Sequence, residues 1–359
     1  MNTKAQRNVN LDLMRVLACI AVVGLHTVNI RYTLFYNLLF NVCSFAVPAF
    51  FMTSGYTLLN RKRLPKGYVL GKIAGVMRLA VVWPWVMWLA NAAVGLIVQG
   101  EPLQRLSDVP AQIVTNFLQH GNLWQFWYLG ATMLLYACLP LLYRLREKGW
   151  LGRLWACLVV AGVAVVAASS FLGRSIQAQL PQMFRLWTWL QYFVLGGLLG
   201  SGAPPRPLRR LQGISMKAHT LLLLAATAWI VVYLEWMRWD VLRTPAKEWI
   251  YDSIFAVLWV VALFTWVMKL RIPRFLQTAI PRLASLTLGV YILHPSVLML
   301  VAHVYRRFQI PVTLLTCLLV LLLSVLIAYV MSRIPFARGL IRFDRVNLRR
   351  KVKNPSADA

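Results

Sequence analysis

Apolar stretches of about twenty residues recur along the whole chain, each long enough to cross the hydrocarbon core of a bilayer as a helix. Ten can be marked: 11–31, 35–58, 76–98, 124–143, 153–172, 184–201, 218–236, 249–268, 284–304 and 312–332. A backbone inside lipid must satisfy its own hydrogen bonds, so segments of this kind fold as helices in a bundle. The chain has 359 residues, 60% hydrophobic and only 13% charged, which excludes an ordinary soluble protein. The expected fold is all-α: a polytopic membrane protein with about ten transmembrane helices, a single membrane-embedded domain over 1–359 and a basic tail at 334–359.

The basic residues set the orientation. One side of the expected topology receives 27 lysines and arginines and the other 8, so both termini are expected in the cytoplasm. The net charge of +28 then reflects topology and contact with anionic lipid. Nucleic-acid binding is excluded as its cause, because the charges are scattered over short loops with no compact basic domain. Cys19, Cys43, Cys138, Cys157 and Cys317 fall in apolar spans at unrelated spacings, which suggests packing, with neither disulfides nor a metal site.

The first span carries two ionisable residues, Arg15 and His26, eleven positions apart. Ionisable groups in hydrocarbon are costly and mark functional sites. Eleven residues bring the two side chains to within about 20° on one helix face and about 16 Å apart along the axis. Asp12, three residues before Arg15, lies on the same side and can pair with the guanidinium. The structural alternative is a snorkelling arginine and a histidine hydrogen-bonded inside the bundle.

Three further segments differ from generic apolar filling. FFMTSGYTL at 50–58 brings Ser54, Gly55 and Tyr56 to a membrane edge, where small residues also serve helix packing. LWQFWYLGATMLLY at 123–136 places Trp124, Trp127 and Tyr128 as an aromatic interface belt. In SLTLGVYILHP at 285–295, Pro295 removes a backbone donor beside His294 and can leave a carbonyl free near the imidazole.

Together these segments resemble the acyltransferase 3 family of integral membrane acyltransferases. Asp12, Arg15 and His26 resemble the family's arginine–ten residues–histidine signature, and FFMTSGY its second-span serine–glycine–aromatic motif. FWYL (Phe126 to Leu129), YFVLGGLLG at 192–200 and GVYILHP resemble later family elements, in the same order. Within the family the chain looks closest to bacterial surface-polysaccharide O-acetyltransferases of the enterobacterial common antigen type. It departs from the pattern at the third span, where Lys72, Arg78 and Pro84 stand in place of a tight arginine cluster.

The resemblance implies a multi-pass enzyme of the bacterial inner membrane. Acetyl coenzyme A would be the acyl donor and a glycan or lipid-linked sugar the acceptor, with no permanently bound cofactor. His26 would act as base or transient acyl carrier and Arg15 as its catalytic partner. Asp12, Ser54, Tyr56, Arg61, Arg63, Lys72 and Arg78 are the donor-side candidates. Tyr291, His294, Asp252, Glu235, Arg185 and Trp127 are the acceptor-side or supporting candidates. Self-association is left open. The competing function is a transporter or flippase that uses Arg15, His26 and His294 as a substrate or proton pathway.

Overall fold

A computed structural model describes residues 7–28, 34–98, 105–243, 250–308 and 314–342. All regular secondary structure among them is helical. The helices run α1 (Val9–Thr27), α2 (Leu34–Cys43), α3 (Ala46–Leu58), α4 (Tyr68–Val98), α5 (Val109–Phe117), α6 (Trp127–Glu147) and α7 (Leu151–Phe171). They continue with α8 (Leu186–Leu199), α9 (Arg206–Gly213), α10 (Met216–Trp236), α11 (Ile254–Lys269), α12 (Leu276–Ala284), α13 (Thr287–Arg307) and α14 (Leu314–Arg333).

Eight described segments are long and apolar enough to span a bilayer, and two shorter apolar helices, α8 and α11, stand at the sixth and eighth expected spans. With 14 residues, α8 reaches only about 21 Å, short of a hydrocarbon core of about 30 Å. It compensates by burial: every residue from Thr188 to Leu199 except Leu190 is buried in the bundle. The second span is split in two. Pro48 has no N–H to offer the Ser44 carbonyl, and the helix breaks at Ser44–Phe45, where the Ser44 hydroxyl donates to Asn41 O at 2.7 Å.

Charge and apolarity sort the elements into layers. The outer helices expose leucines and aromatics along their length, including Leu221, Leu224 and Trp229 on α10 and Leu315, Leu318 and Leu322 on α14. A soluble protein would bury such faces; here they are the surfaces that meet lipid. The amphipathic α9 buries Leu208 and leaves Arg206, Arg209 and Arg210 exposed, the pattern of a helix lying in the membrane interface.

Two glycines fix the centre of the bundle. A Cβ on Gly55 would stand 1.8 Å from Phe193 O, and one on Gly196 would stand 2.0 Å from Met52 O. So α3 and α8 cross backbone against backbone, which only glycine permits at those positions. The C-terminal end of α3 is held by α6: the Tyr143 hydroxyl donates to Leu58 O at 2.7 Å, and Arg146 donates to Leu59 O at 2.6 Å and Arg61 O at 2.7 Å. These bonds satisfy carbonyls that the helix end leaves open.

Past α14 the chain folds back onto the bundle. Trp83 Nε1 donates to Leu340 O at 2.8 Å, Arg78 donates to Gly339 O at 3.1 Å, and Ile341 is buried against Gly289. The rest of the basic tail, 343–359, lies outside the described residues.

Candidate functional site

The Arg15–His26 face of α1 runs between two cavities. The cavity at the basic end has a volume of about 470 Å³ and is bordered by Arg15, Arg61, Lys72 and Arg342, with no carboxylate among the described residues on its wall. Its remaining polar side chains are hydroxyls: Thr53, Ser54 and Thr57 from α3, with Tyr68, Tyr128, Thr132, Tyr136, Ser285, Thr287 and Tyr291. Residues 53, 54, 57, 58 and 61 all line it, one face of α3 carried past its end.

Asp12 prepares Arg15 for this cavity. It is 1% exposed and accepts from Arg15 Nη1 at 2.9 Å and from Arg7 Nε. One carboxylate therefore holds two guanidiniums, and the rest of the half-buried Arg15 fork remains turned to the cavity. Arg61 is steadied by the Tyr68 ring, 5.0 Å below its guanidinium carbon.

The second cavity, about 270 Å³, lies toward the other end of α1 and holds His26. Among the described residues, no lysine, arginine, aspartate or glutamate lines it. Its polar side chains are His26, Gln119, Gln125 and Gln182 with Tyr128, Tyr251 and Tyr291, set beside Trp124 and Trp127. Tyr251 is placed by α8, whose Gln191 and Tyr192 donate to its carbonyl at 3.1 and 2.8 Å. Gln119 has a φ of +68°, a left-handed conformation unfavourable for a residue with a Cβ, and its Oε1 accepts from Gln182 N at 3.2 Å.

Phe50, Tyr128 and Tyr291 belong to both walls, so the two cavities meet at a three-ring partition. The Tyr128 and Tyr291 rings stand 5.4 Å apart, and the Tyr291 hydroxyl donates to the backbone carbonyl of Gln125.

His26 sits in a cage of rings. Trp124 meets it edge-on at 4.6 Å and His294 stacks on it at 5.2 Å with 21° between the planes. The fully buried His294 places Nδ1 3.1 Å from Val290 O. A carbonyl only accepts, so Nδ1 carries the proton and Nε2 is a bare acceptor. That Nε2 has no hydrogen-bond partner among the described residues, and neither does Gln125 Oε1. Leaving a buried polar atom unpaired costs about 1–3 kcal/mol each, and such atoms call for an explanation in a native structure.

The structure distributes the sequence candidates unevenly. Arg15, Ser54, Arg61 and Lys72 border the basic cavity, His26 and Trp127 the neutral one, and Tyr291 both. Tyr56 turns from the basic cavity toward Phe264, 6.1 Å away, because it projects from another face of α3 than Ser54 and Thr57. Arg63 is exposed at the basic end, and Arg78 is committed to the returning chain.

Asp252 is buried behind the neutral cavity, where it accepts from the Thr188 hydroxyl at 2.5 Å and from Trp187 Nε1 at 3.3 Å. Arg185 is also buried there and donates twice to Leu180 O, at 2.9 and 2.7 Å. Glu235 lies apart from both cavities, accepting from Arg238 at 3.0 Å and Asn41 at 2.6 Å.

Residues that sequence reasoning did not select include Gln125, Tyr128 as part of the partition, and Arg342. Thr53 and Thr57 were findable, since four-residue spacing puts them on one stripe with the selected Arg61.

A multi-pass helical membrane protein with a basic chamber and a neutral chamber sharing one partition is thus the class that fold and site define. A family model described as an acyltransferase domain matches residues 8–333, and the chain belongs to the acyltransferase 3 family of membrane-bound acyltransferases. No curated protein and no solved structure matches it.

Proposed function

We propose that this acyltransferase takes an acyl group, acetyl in the simplest case, from acetyl coenzyme A in the cytoplasm. It delivers the group to a hydroxyl of a glycan or lipid-linked sugar on the opposite face of a bacterial inner membrane. The reading rests on one observation: a cavity with four cations and a cavity with no charged residue, counted among the described residues, share the wall Phe50, Tyr128 and Tyr291, with Arg15 on one side and His26 on the other. Phosphates of a nucleotide donor match guanidinium forks and ammonium groups, and the basic end is cytoplasmic by the positive-inside rule.

The chemistry follows from the groups present. Arg15 orients the donor; at about 16 Å along the helix from His26 it is too distant to act on the same atoms. His26 takes the proton of the acceptor hydroxyl as its oxygen attacks the thioester carbonyl carbon. The carbon–sulfur bond then breaks and the coenzyme leaves as a thiol, with the proton returned from the imidazolium. A two-step version, in which the His26 ring nitrogen first carries the acyl group, uses the same atoms. The stacked His294, with its free Nε2, supports the His26 ring in either version. The motif resemblance favours a surface polysaccharide of the enterobacterial common antigen type as acceptor.

The test is expression in a host that makes a candidate polysaccharide, with ester-linked acetyl measured by mass spectrometry. Wild type adds acetyl; His26→Ala at equal membrane abundance adds none. Full acetylation by His26→Ala would overturn the assignment.

A further inference from the structure

Gln125 is held by α13 at two points. Its amide nitrogen donates to Ile292 O at 3.2 Å, and its backbone carbonyl accepts from the Tyr291 hydroxyl. Because the Ile292 carbonyl can only accept, the amide orientation is fixed and Oε1 is the atom left over. Gln125 is 1% exposed and lines the neutral cavity, and Oε1 has no partner among the described residues. An oxygen that only accepts selects a ligand group that donates, a hydroxyl or an N–H, and repels an anion.

The surroundings select in the same direction. The preceding residue, Trp124, touches the His26 ring, and His294, two residues after Ile292, stacks on it, so Gln125 and the imidazole are flanked by the same neighbours. The rest of the wall is amide, aromatic ring and the aliphatic Val22, Leu25 and Val47, and none of the described lining residues is formally charged. A chamber of about 270 Å³ lies just below the ~300–1,000 Å³ of usual small-molecule sites, room for one ring and not for a chain.

We propose that Gln125 is a positioning residue for the acceptor, and that the group entering this cavity is a neutral sugar ring bearing two adjacent hydroxyls. One hydroxyl gives its proton to His26 and becomes the ester oxygen. Its neighbour donates to Gln125 Oε1 and is unchanged by the reaction. Sugars carrying carboxylate or phosphate on that ring are disfavoured, since no cation among the described residues lines the cavity to receive them. The proposal rests on the acyl-transfer reading above.

The experiment uses the full-length protein purified in detergent, with acetyl coenzyme A and a panel of methyl glycosides: neutral hexosides, their single-deoxy analogues and hexuronides. Binding is followed by tryptophan fluorescence and transfer by mass spectrometry. Wild type should bind the neutral diols at least tenfold more tightly than the deoxy analogues or the hexuronides. Gln125→Leu should abolish that discrimination and raise the acceptor KM tenfold or more, with the affinity for acetyl coenzyme A unchanged.

Equal use of deoxy sugars by wild type would overturn the proposal without any variant, as would hexuronides binding better. Acetyl coenzyme A bound normally with no glycoside bound would also sink it, yet leave the acyltransferase reading standing. Failure of wild type to bind acetyl coenzyme A would strike at that reading instead.

Discussion

The two cavities share three aromatic side chains and differ in nearly everything else. Among the described residues, four cations stand with ten hydroxyl side chains on the Arg15 side; on the His26 side, glutamines and tryptophans surround the imidazole and none of the lining residues carries a formal charge. The contrast lies along single helices. α1 contributes the arginine to one chamber and the histidine to the other, and α3 lines both with Phe50. A bilayer-spanning helix is thus enough to present two chemistries about 16 Å apart on one face. The two cavities meet at a shared aromatic wall inside one helix bundle.

The largest effect should come from the crossing that sets the shared wall. Gly55→Val places atoms where Phe193 O stands, 1.8 Å from the would-be Cβ, and should cost about 3 kcal/mol or more. Thermal melting of the detergent-solubilised protein would show this as loss of the folded species; a variant melting like wild type would mean that α3 and α8 can separate without harm.

His26→Ala should lower kcat by about 10²–10⁴-fold, the usual worth of a general base, with the affinity for acetyl coenzyme A intact. Arg15→Ala should do the converse, raising the donor KM by about tenfold to a hundredfold, equivalent to about 1.4–2.7 kcal/mol, with a smaller change in acceptor KM. Matched effects of the two variants on both substrates would erase the division between chambers.

Tyr128→Ala opens the partition and should raise hydrolysis of acetyl coenzyme A relative to transfer by about tenfold, because water then reaches the thioester. An unchanged ratio would show that the rings do not separate the chambers. The smallest effect is electrostatic. Lys72→Ala should weaken donor binding several-fold at low ionic strength, and most of the difference should vanish as added salt screens the site. A salt-independent loss would place Lys72 outside the electrostatic role.

The positions of the spans were readable from apolar length alone, including the two helices that proved short, because hydropathy depends on composition and not on neighbours. The Arg15–His26 stripe was readable for a related reason: helical periodicity is local. Gln125 was not. It sits in a 3₁₀ turn, Trp124–Phe126, inside an aromatic run, and its free oxygen is defined only by bonds to residues more than 160 positions away.

Arg342 likewise reaches the basic cavity only because the chain folds back onto Trp83 and Gly289. Tyr56 shows the opposite case, since a motif names a residue without saying which face of its helix it occupies. The burial of Arg185 and Asp252 also depends on tertiary packing, as both lie near segment ends that would be solvated in isolation.

The division of labour between the chambers is tested most directly by sidedness. In proteoliposomes of known orientation, acetyl coenzyme A and a neutral methyl hexoside can be supplied on chosen sides and ester-linked acetyl measured. Acetylated sugar should form when donor is on the side of Arg61 and Lys72 and acceptor is on the other, and should be far slower in the reverse arrangement. Equal transfer with both substrates confined to the Arg61 side would contradict a partitioned site.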